Sequence, residues 1–171
     1  MKTIIRKMSS RACSGGRGDP VSARGIAALR FTTLAMTLIC FLSCANAGKA
    51  MKEVTILTQN PSQKIVVKTE VADTDALRMQ GLMFRKDLGK NEGMIFLFPA
   101  DSHTAFWMHN TYIPLDILFI NKDHQIVDIA ENAQPLSDDL IQPLHSYRYT
   151  LEVNGGFSKA HKIQVGDRVE F

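Results

Sequence analysis

A chain of 171 residues with 20 Lys and Arg against 17 Asp and Glu is nominally basic by +3, yet the excess is confined to one end. Residues 1–47 hold seven of the basic residues and one acid, which leaves 13 basic against 16 acidic residues, a net charge of −3, in the rest. A nucleic-acid partner therefore loses its support, because it needs a clustered positive field that the body of the chain lacks.

Lys2, Arg6, Lys7, Arg11, Arg17, Arg24 and Arg30 precede the uncharged run Phe31 to Ala47. Its apolar part, Phe31 to Cys44, is shorter than the ~20 residues that span the hydrocarbon core of a bilayer. Ala45-Asn46-Ala47 places small residues where a signal peptidase reads them. The expectation is a signal peptide over 1–47, cleaved after Ala47, a linker over 48–52 and a single domain over 53–171. That domain is periplasmic or secreted, with no membrane span after cleavage. Phe41-Leu42-Ser43-Cys44 loosely resembles a lipoprotein processing site, an alternative that leaves Cys44 acylated as a lipid anchor. All three cysteines, Cys13, Cys40 and Cys44, lie in the leader, so the domain has no disulfide, thiol nucleophile or Cys-based metal site.

In the domain, Val54 to Leu57 alternates and is turned by Asn60-Pro61-Ser62, and Lys64 to Val71 is rich in β-branched residues; both read as strands. Asp73 stands where a helix N-cap belongs. Ala76, Met79, Gln80 and Met83 recur at helical spacing, which predicts a helix over Thr74 to Phe84. Gly81 within it implies close backbone packing or an early end. Met94 to Phe98 reads as a strand buried on both faces, broken by Pro99 to Ser102, and His103 to Met108 as another. Leu115 to Ile120 and Gln125 to Ala130 form a hairpin across Asn121 to His124. Residues 131–146, with Pro135 and Pro143, read as a long irregular connection. Tyr147 to Val153 is a strand, Phe157 to His161 a short helical turn, and Arg168 to Phe171 a last strand. Seven or eight short strands with one short helix packed on them predict a mainly β domain, a compact sandwich or barrel.

The segment Phe106 to Ile120, FWMHNTYIPLDILFI, carries the most chemistry. It holds the only Trp of the chain, a turn at Asn110 and Thr111, and Asp116 on a strand face shared with Leu118 and Ile120. A carboxylate on an apolar face must find donors, since burying it unpaired costs several kcal/mol. Arg85, just past the helix, is the expected partner of Asp116.

Arg78 to Arg85 (RMQGLMFR), Gly93 to Phe98 (GMIFLF), Phe106 to Thr111 with Ile113 to Asp116, Ala133-Gln134-Pro135, Leu151-Glu152 with Gly156, and Gly166-Asp167 occur in the order of a known family. By these residues the chain resembles domain of unknown function family 192 over about residues 53–171. The resemblance implies a mostly β, jelly-roll-like domain, commonly exported, and no defined activity. His109 and Asn154-Gly155 depart from the family pattern.

The candidate ligand-binding residues are Arg85, Trp107, Asn110, Thr111, Asp116 and Gly156. Arg85 offers a fork for a carboxylate, phosphate or sugar oxygen, with Asp116 orienting it; the bland reading is an internal bridge with Asn110 fixing a turn. Trp107 is a stacking platform or a core aromatic. Gly156, after Gly155 and one turn before Lys159, offers N–H groups to an anion or is a glycine turn. Met79, Met83, Met94 and Met108 with His103 and His109 carry a weaker reading as a soft-metal site, against which Met is ordinary core filler. No Walker loop, nucleophile elbow, dinucleotide fingerprint or zinc-protease motif occurs. The sequence therefore predicts an exported domain that binds a small polar or anionic ligand, or an envelope accessory, without a cofactor. The alternative is a hydrolase of a polar envelope metabolite built on Asp116 and Arg85.

Overall fold

The computed structural model describes residues 50–59 and 63–171; the leader, Cys44 and the Asn60-Pro61-Ser62 turn lie outside the described residues. Strands β1 (Met51–Leu57) and β2 (Lys64–Ala72) form an antiparallel pair with Val54 opposite Val67 and Ile56 opposite Ile65. All four are buried, which is the outcome that period-2 alternation dictates for a sheet with one inner face.

Strand β3 (Glu92–Ser102) lies parallel to β2, so the chain crosses over between them and carries helix α1 (Asp75–Gln80) on the way. The helix is shorter than the sequence predicts. Thr74, not Asp73, caps it, its hydroxyl accepting from the Leu77 N–H, and Gly81 ends it at φ 50°, ψ −136°, a conformation open to glycine alone. Strand β3 in turn runs on through Pro99, where the sequence predicts a break. The register against its neighbour shifts between Leu97 and Ser102, and a residue without an N–H is tolerated at such an irregularity. The strand expected over His103 to Met108 is absent; that segment makes only the isolated bridge Phe106 to Ile141.

Strands β4 (Leu115–Ile120) and β5 (Ile126–Ala133) form the expected hairpin. The Asn121 side-chain oxygen holds its turn by accepting from the N–H groups of Asp123 and Gln125, both at 2.9 Å. Strand β6 (Tyr147–Asn154) inserts between β4 and β3, α2 (Phe157–His161) follows it, and β7 (Arg168–Glu170) pairs with β1.

The result is one seven-stranded sheet in the order β5-β4-β6-β3-β2-β1-β7. Its edges approach at one corner, where the Ile126 N–H donates to the Asp167 carbonyl and the Val169 N–H to the His124 carbonyl. The sheet is thus curled into a half-barrel, mainly β as expected, with two short helices. Its concave face buries Val54, Ile56, Val67, Ile95, Leu118, Leu151 and Val153, and Phe157 of α2 with Ile163 packs against this set. A second apolar cluster lies on the other face of β3, β6 and β4: Met94, Phe96, Leu115, Ile117 and Phe119, joined by Leu82, Met108 and Ile113 from the connections. Those three strands are covered on both sides, and every residue of β4 is buried. Among the described residues no helix is long and apolar enough to cross a membrane.

Candidate functional site

The two-sided burial of β4 and β6 decides the fate of the two acidic residues on them. Asp116 points to the concave side with Leu118 and Ile120 and is 0% exposed. Its Oδ1 accepts from the N–H groups of Asn132 (2.8 Å) and Gly156 (2.9 Å), and its Oδ2 from the N–H of Ser158 (2.7 Å). Three backbone donors satisfy a buried carboxylate well. Asp116 thereby holds the start of α2 and the irregular end of β5, where Asn132 takes φ 49°. Gly156 caps α2 at φ 82°, and the anion its N–H holds is Asp116 itself.

Arg85, the expected partner of Asp116, is instead paired with Glu70 of β2, its Nη2 donating to both carboxylate oxygens. The expected Arg85–Asp116 bridge is thus corrected. The physical reason is topological: the parallel crossover returns the chain to β2, whose Glu70 meets the guanidinium first, while Asp116 lies within the curl. Asn110 forms the expected turn at φ 55°, its carbonyl accepting from the Phe84 N–H (2.8 Å).

Trp107 and Thr111 have a different setting. The segment 106–111 faces the residues around the end of α1 across a small open cleft over the outer face of the sheet. Leu82, Met83, Phe96 and Phe106 supply apolar wall, and Trp107, 48% exposed, stands in the lining. The indole stacks on His109 at 4.9 Å and 23°, and His109 Nδ1 meets Asp138 Oδ1 at 2.6 Å, so the ring is braced from behind. Thr111 is buried, its N–H donating to the Met108 carbonyl.

Glu152 is the group that sequence reasoning missed. The register of β6 sets it opposite Met94 on β3 and Ile117 on β4, hence on the outer face, where it lines the cleft at 6% exposure. Its Oε2 is buried without a hydrogen-bond partner, as is the hydroxyl of Thr150, two residues earlier on the same face. Burial pushes the Glu152 carboxyl up to about 8, so it is largely protonated at neutral pH. Gly81 makes the room beside it: a Cβ there would lie 3.4 Å from Phe96 Cζ and 3.8 Å from Glu152 Oε2. The available signal was Glu152 in a strand whose neighbours Leu151 and Val153 are apolar, together with Gly81; strand alternation alone assigns such a Glu to solvent.

Of the six expected site residues, the structure brings Asp116 and Gly156 together in one anchor and Trp107 and Thr111 together in the cleft, and leaves Arg85 and Asn110 outside both. Met79 and Met83 line the cleft, whereas Met94 and Met108 are buried in the core. No group of three or more His, Asp or Glu among the described residues is placed to hold a metal.

Comparison with known proteins follows the same boundaries. The model of domain of unknown function family 192, described as Uncharacterized ACR, matches residues 55–171. A UPF0127 protein of Pyrococcus abyssi is 26% identical over 118 residues, which cover 68% of this chain and 96% of that protein. A UPF0127 protein of Pyrococcus furiosus is 25% identical over 124 residues, 68% and 97% of the two chains. Among solved structures, a protein of unknown function from Novosphingobium aromaticivorans superimposes with a TM-score of 0.70 at 39% identity, covering 74% of this chain and 89% of that one. A Sinorhizobium meliloti chain described as a candidate transcription regulator gives a TM-score of 0.69 at 37% identity, covering 71% and 94%.

Proposed function

The chain belongs to domain of unknown function family 192, and from that premise we propose that it is a small-ligand-binding domain that acts after export, with the cleft floored by Glu152 as its binding site. The observation that carries this reading is a buried carboxyl with an unpartnered oxygen in an apolar, aromatic-walled cleft. Native proteins satisfy their buried polar atoms, and an exception inside a concavity marks a place where a ligand can supply the partner. A perturbed carboxyl in such a place is also where functional sites concentrate. The lining supports binding over hydrolysis. Glycoside-type acid–base chemistry pairs two carboxyls, and Glu152 is the one acid among the lining residues. Of the groups the hydrolase alternative uses, Asp116 is engaged by three backbone donors and Arg85 by Glu70.

Export rests on the basic residues of the leader, the apolar run Phe31 to Cys44 and the Ala45-Asn46-Ala47 site. Mass spectrometry of envelope material is expected to find a terminus at Gly48; an intact Met1 or an acylated Cys44 would count against cleavage after Ala47. Binding is tested by a thermal-shift screen of neutral, cationic and anionic small molecules, with Trp107, the sole tryptophan, as fluorescent reporter. At least one class is expected to raise the melting temperature and change the emission, with both responses lost in Glu152→Gln or Trp107→Ala. A panel that moves neither signal would overturn the reading.

A further inference from the structure

We infer that the cleft is built for a small organic cation, an alkylammonium or guanidinium group, and this rests on the binding-site reading above. Along the sequence, Arg85 and Gly156 point the other way, to a polar or anionic ligand. The placement of hydrogen-bonding groups in the cleft reverses it.

The charged donor of the lining and three of its backbone N–H groups are already engaged. The Arg78 guanidinium, the one cation in the lining, donates to the carbonyls of Asp73 and Leu97, pairs with Asp75 at 2.6 Å and lies against the Phe98 ring. The N–H of Gly81 donates to Leu77, that of Met83 to Gln80 and that of Thr111 to Met108. The Thr111 hydroxyl donates to the His109 carbonyl at 3.4 Å, which leaves its lone pairs as acceptors. The Glu152 carboxyl is the buried acceptor left over: its Oε2 is buried with nothing donating to it, in a residue only 6% exposed. The ionised form of this carboxyl repels an anion, whereas a cation finds in it an acceptor that no donor of the protein occupies, the Arg78 charge being held by Asp75 and two carbonyls.

The walls agree with the floor. Phe96, Phe106 and Trp107 present aromatic rings around the cleft, and the negative face of a ring attracts an ammonium or guanidinium most strongly where water is excluded. Met79, Met83 and Leu82 supply the apolar side against which an alkyl stem packs. Gly81 places no side chain beside Glu152 Oε2.

A pH signature follows from the protonated carboxyl. On its own, the group holds its proton up to about pH 8. An ammonium that binds the carboxylate displaces that proton, so near pH 7 each binding event releases about one. Affinity then rises about tenfold per pH unit below 8 and levels off above it. The other titratable groups near the site are Arg78, held by two carbonyls and Asp75, and His109, which stands behind Trp107 on Asp138.

The experiment titrates the purified protein with n-butylammonium, n-butanol and butyrate at pH 6, 7, 8 and 9, following Trp107 emission and the heat of binding in two buffers of different ionisation enthalpy. Expected are binding of the ammonium at least tenfold tighter than of the isosteric alcohol, no binding of butyrate, and release of about one proton at pH 7. Glu152→Gln, which keeps the shape of the neutral acid and should fold, is expected to lose the preference for the ammonium and the pH dependence together. An end-blocked Gly-Lys-Gly peptide distinguishes the sources: tighter binding of the peptide assigns the cation to a protein side chain, tighter binding of the free amine to a small metabolite. Equal or better binding of alcohol or butyrate, a flat pH profile, or an unaffected Glu152→Gln variant overturns the inference. Should neutral compounds alone move Trp107 and the melting temperature, the cation proposal fails and the binding site stands. Should nothing in either panel move them, both fail.

Discussion

Two buried acids sit within one residue of being opposite each other on adjacent strands, and they could hardly be treated more differently. Asp116 on β4 pairs in register with Val153, the neighbour of Glu152 on β6, yet the alternation of the strands sends the two carboxyls to opposite faces of the sheet. Asp116 reaches three backbone N–H groups and is sealed. Glu152 meets aromatic and aliphatic wall and keeps an oxygen without a partner. Burial alone therefore does not mark a functional acid; what distinguishes the two is whether the fold itself supplies the donors. Where it does, the carboxylate is a fastening. Where it does not, the protein carries a destabilising group, and on that group the proposed binding role rests.

The sharpest way to break this contrast is to remove the fastening. Asp116→Ala leaves three backbone donors around the start of α2 and the end of β5 unsatisfied. At about 1–3 kcal/mol for each buried donor, a loss of about 3–9 kcal/mol in urea denaturation is expected. A loss below about 1 kcal/mol would mean that the anchor is dispensable and that the two acids differ less than their surroundings suggest.

Next in size is the pH dependence of stability at Glu152. The folded carboxyl is raised from the ordinary value of 4.5 to about 8. Its proton is held more tightly in the native state, so the stability it contributes is fully present below about pH 4.5 and is lost as pH rises towards 8. Glu152→Gln has no such loss. Relative to the parent, the variant is expected to gain about 3–5 kcal/mol between about pH 4 and pH 8, at ~1.4 kcal/mol for each pH unit of that interval. Parallel stability curves for the two proteins over that range would show that the carboxyl is satisfied after all.

The smallest effect is expected at the ion pair that replaced the anticipated bridge. Arg85 and Glu70 keep side-chain exposures of 26% and 17%, between the surface and interior regimes. Arg85→Ala should cost about 1–2 kcal/mol, and the Trp107 signals of ligand binding should be unchanged. A variant that folds normally but loses those signals would return Arg85 to the site and sharpen the boundary of the cleft.

Some of this was legible in the sequence. Alternating, β-branched and short continuous apolar runs located every strand from β1 to β7, because the pattern of hydrophobicity is a local property that each strand imposes on its own residues. The same signal also placed a strand over His103 to Met108, where the chain makes only a bridge, since apolar spacing reports burial and not a pairing partner. The hairpin at Asn121, the buried Asp116 and the family resemblance were readable because turn chemistry, an acid on an apolar face and motif order all lie along the chain. The limits of α1 and β3 were misjudged where neighbours intervened, at Gly81 beside Phe96 and at Pro99 beside an irregular register. What only the tertiary structure decided was partnership. Arg85 could have met either acid until the crossover brought it to Glu70, and Glu152 carried no chemistry until loops from both sides covered its strand. Alternation along the chain decides which side of a strand a residue takes, but whether water, a donor or an apolar cleft waits on that side is set by segments far away in the chain.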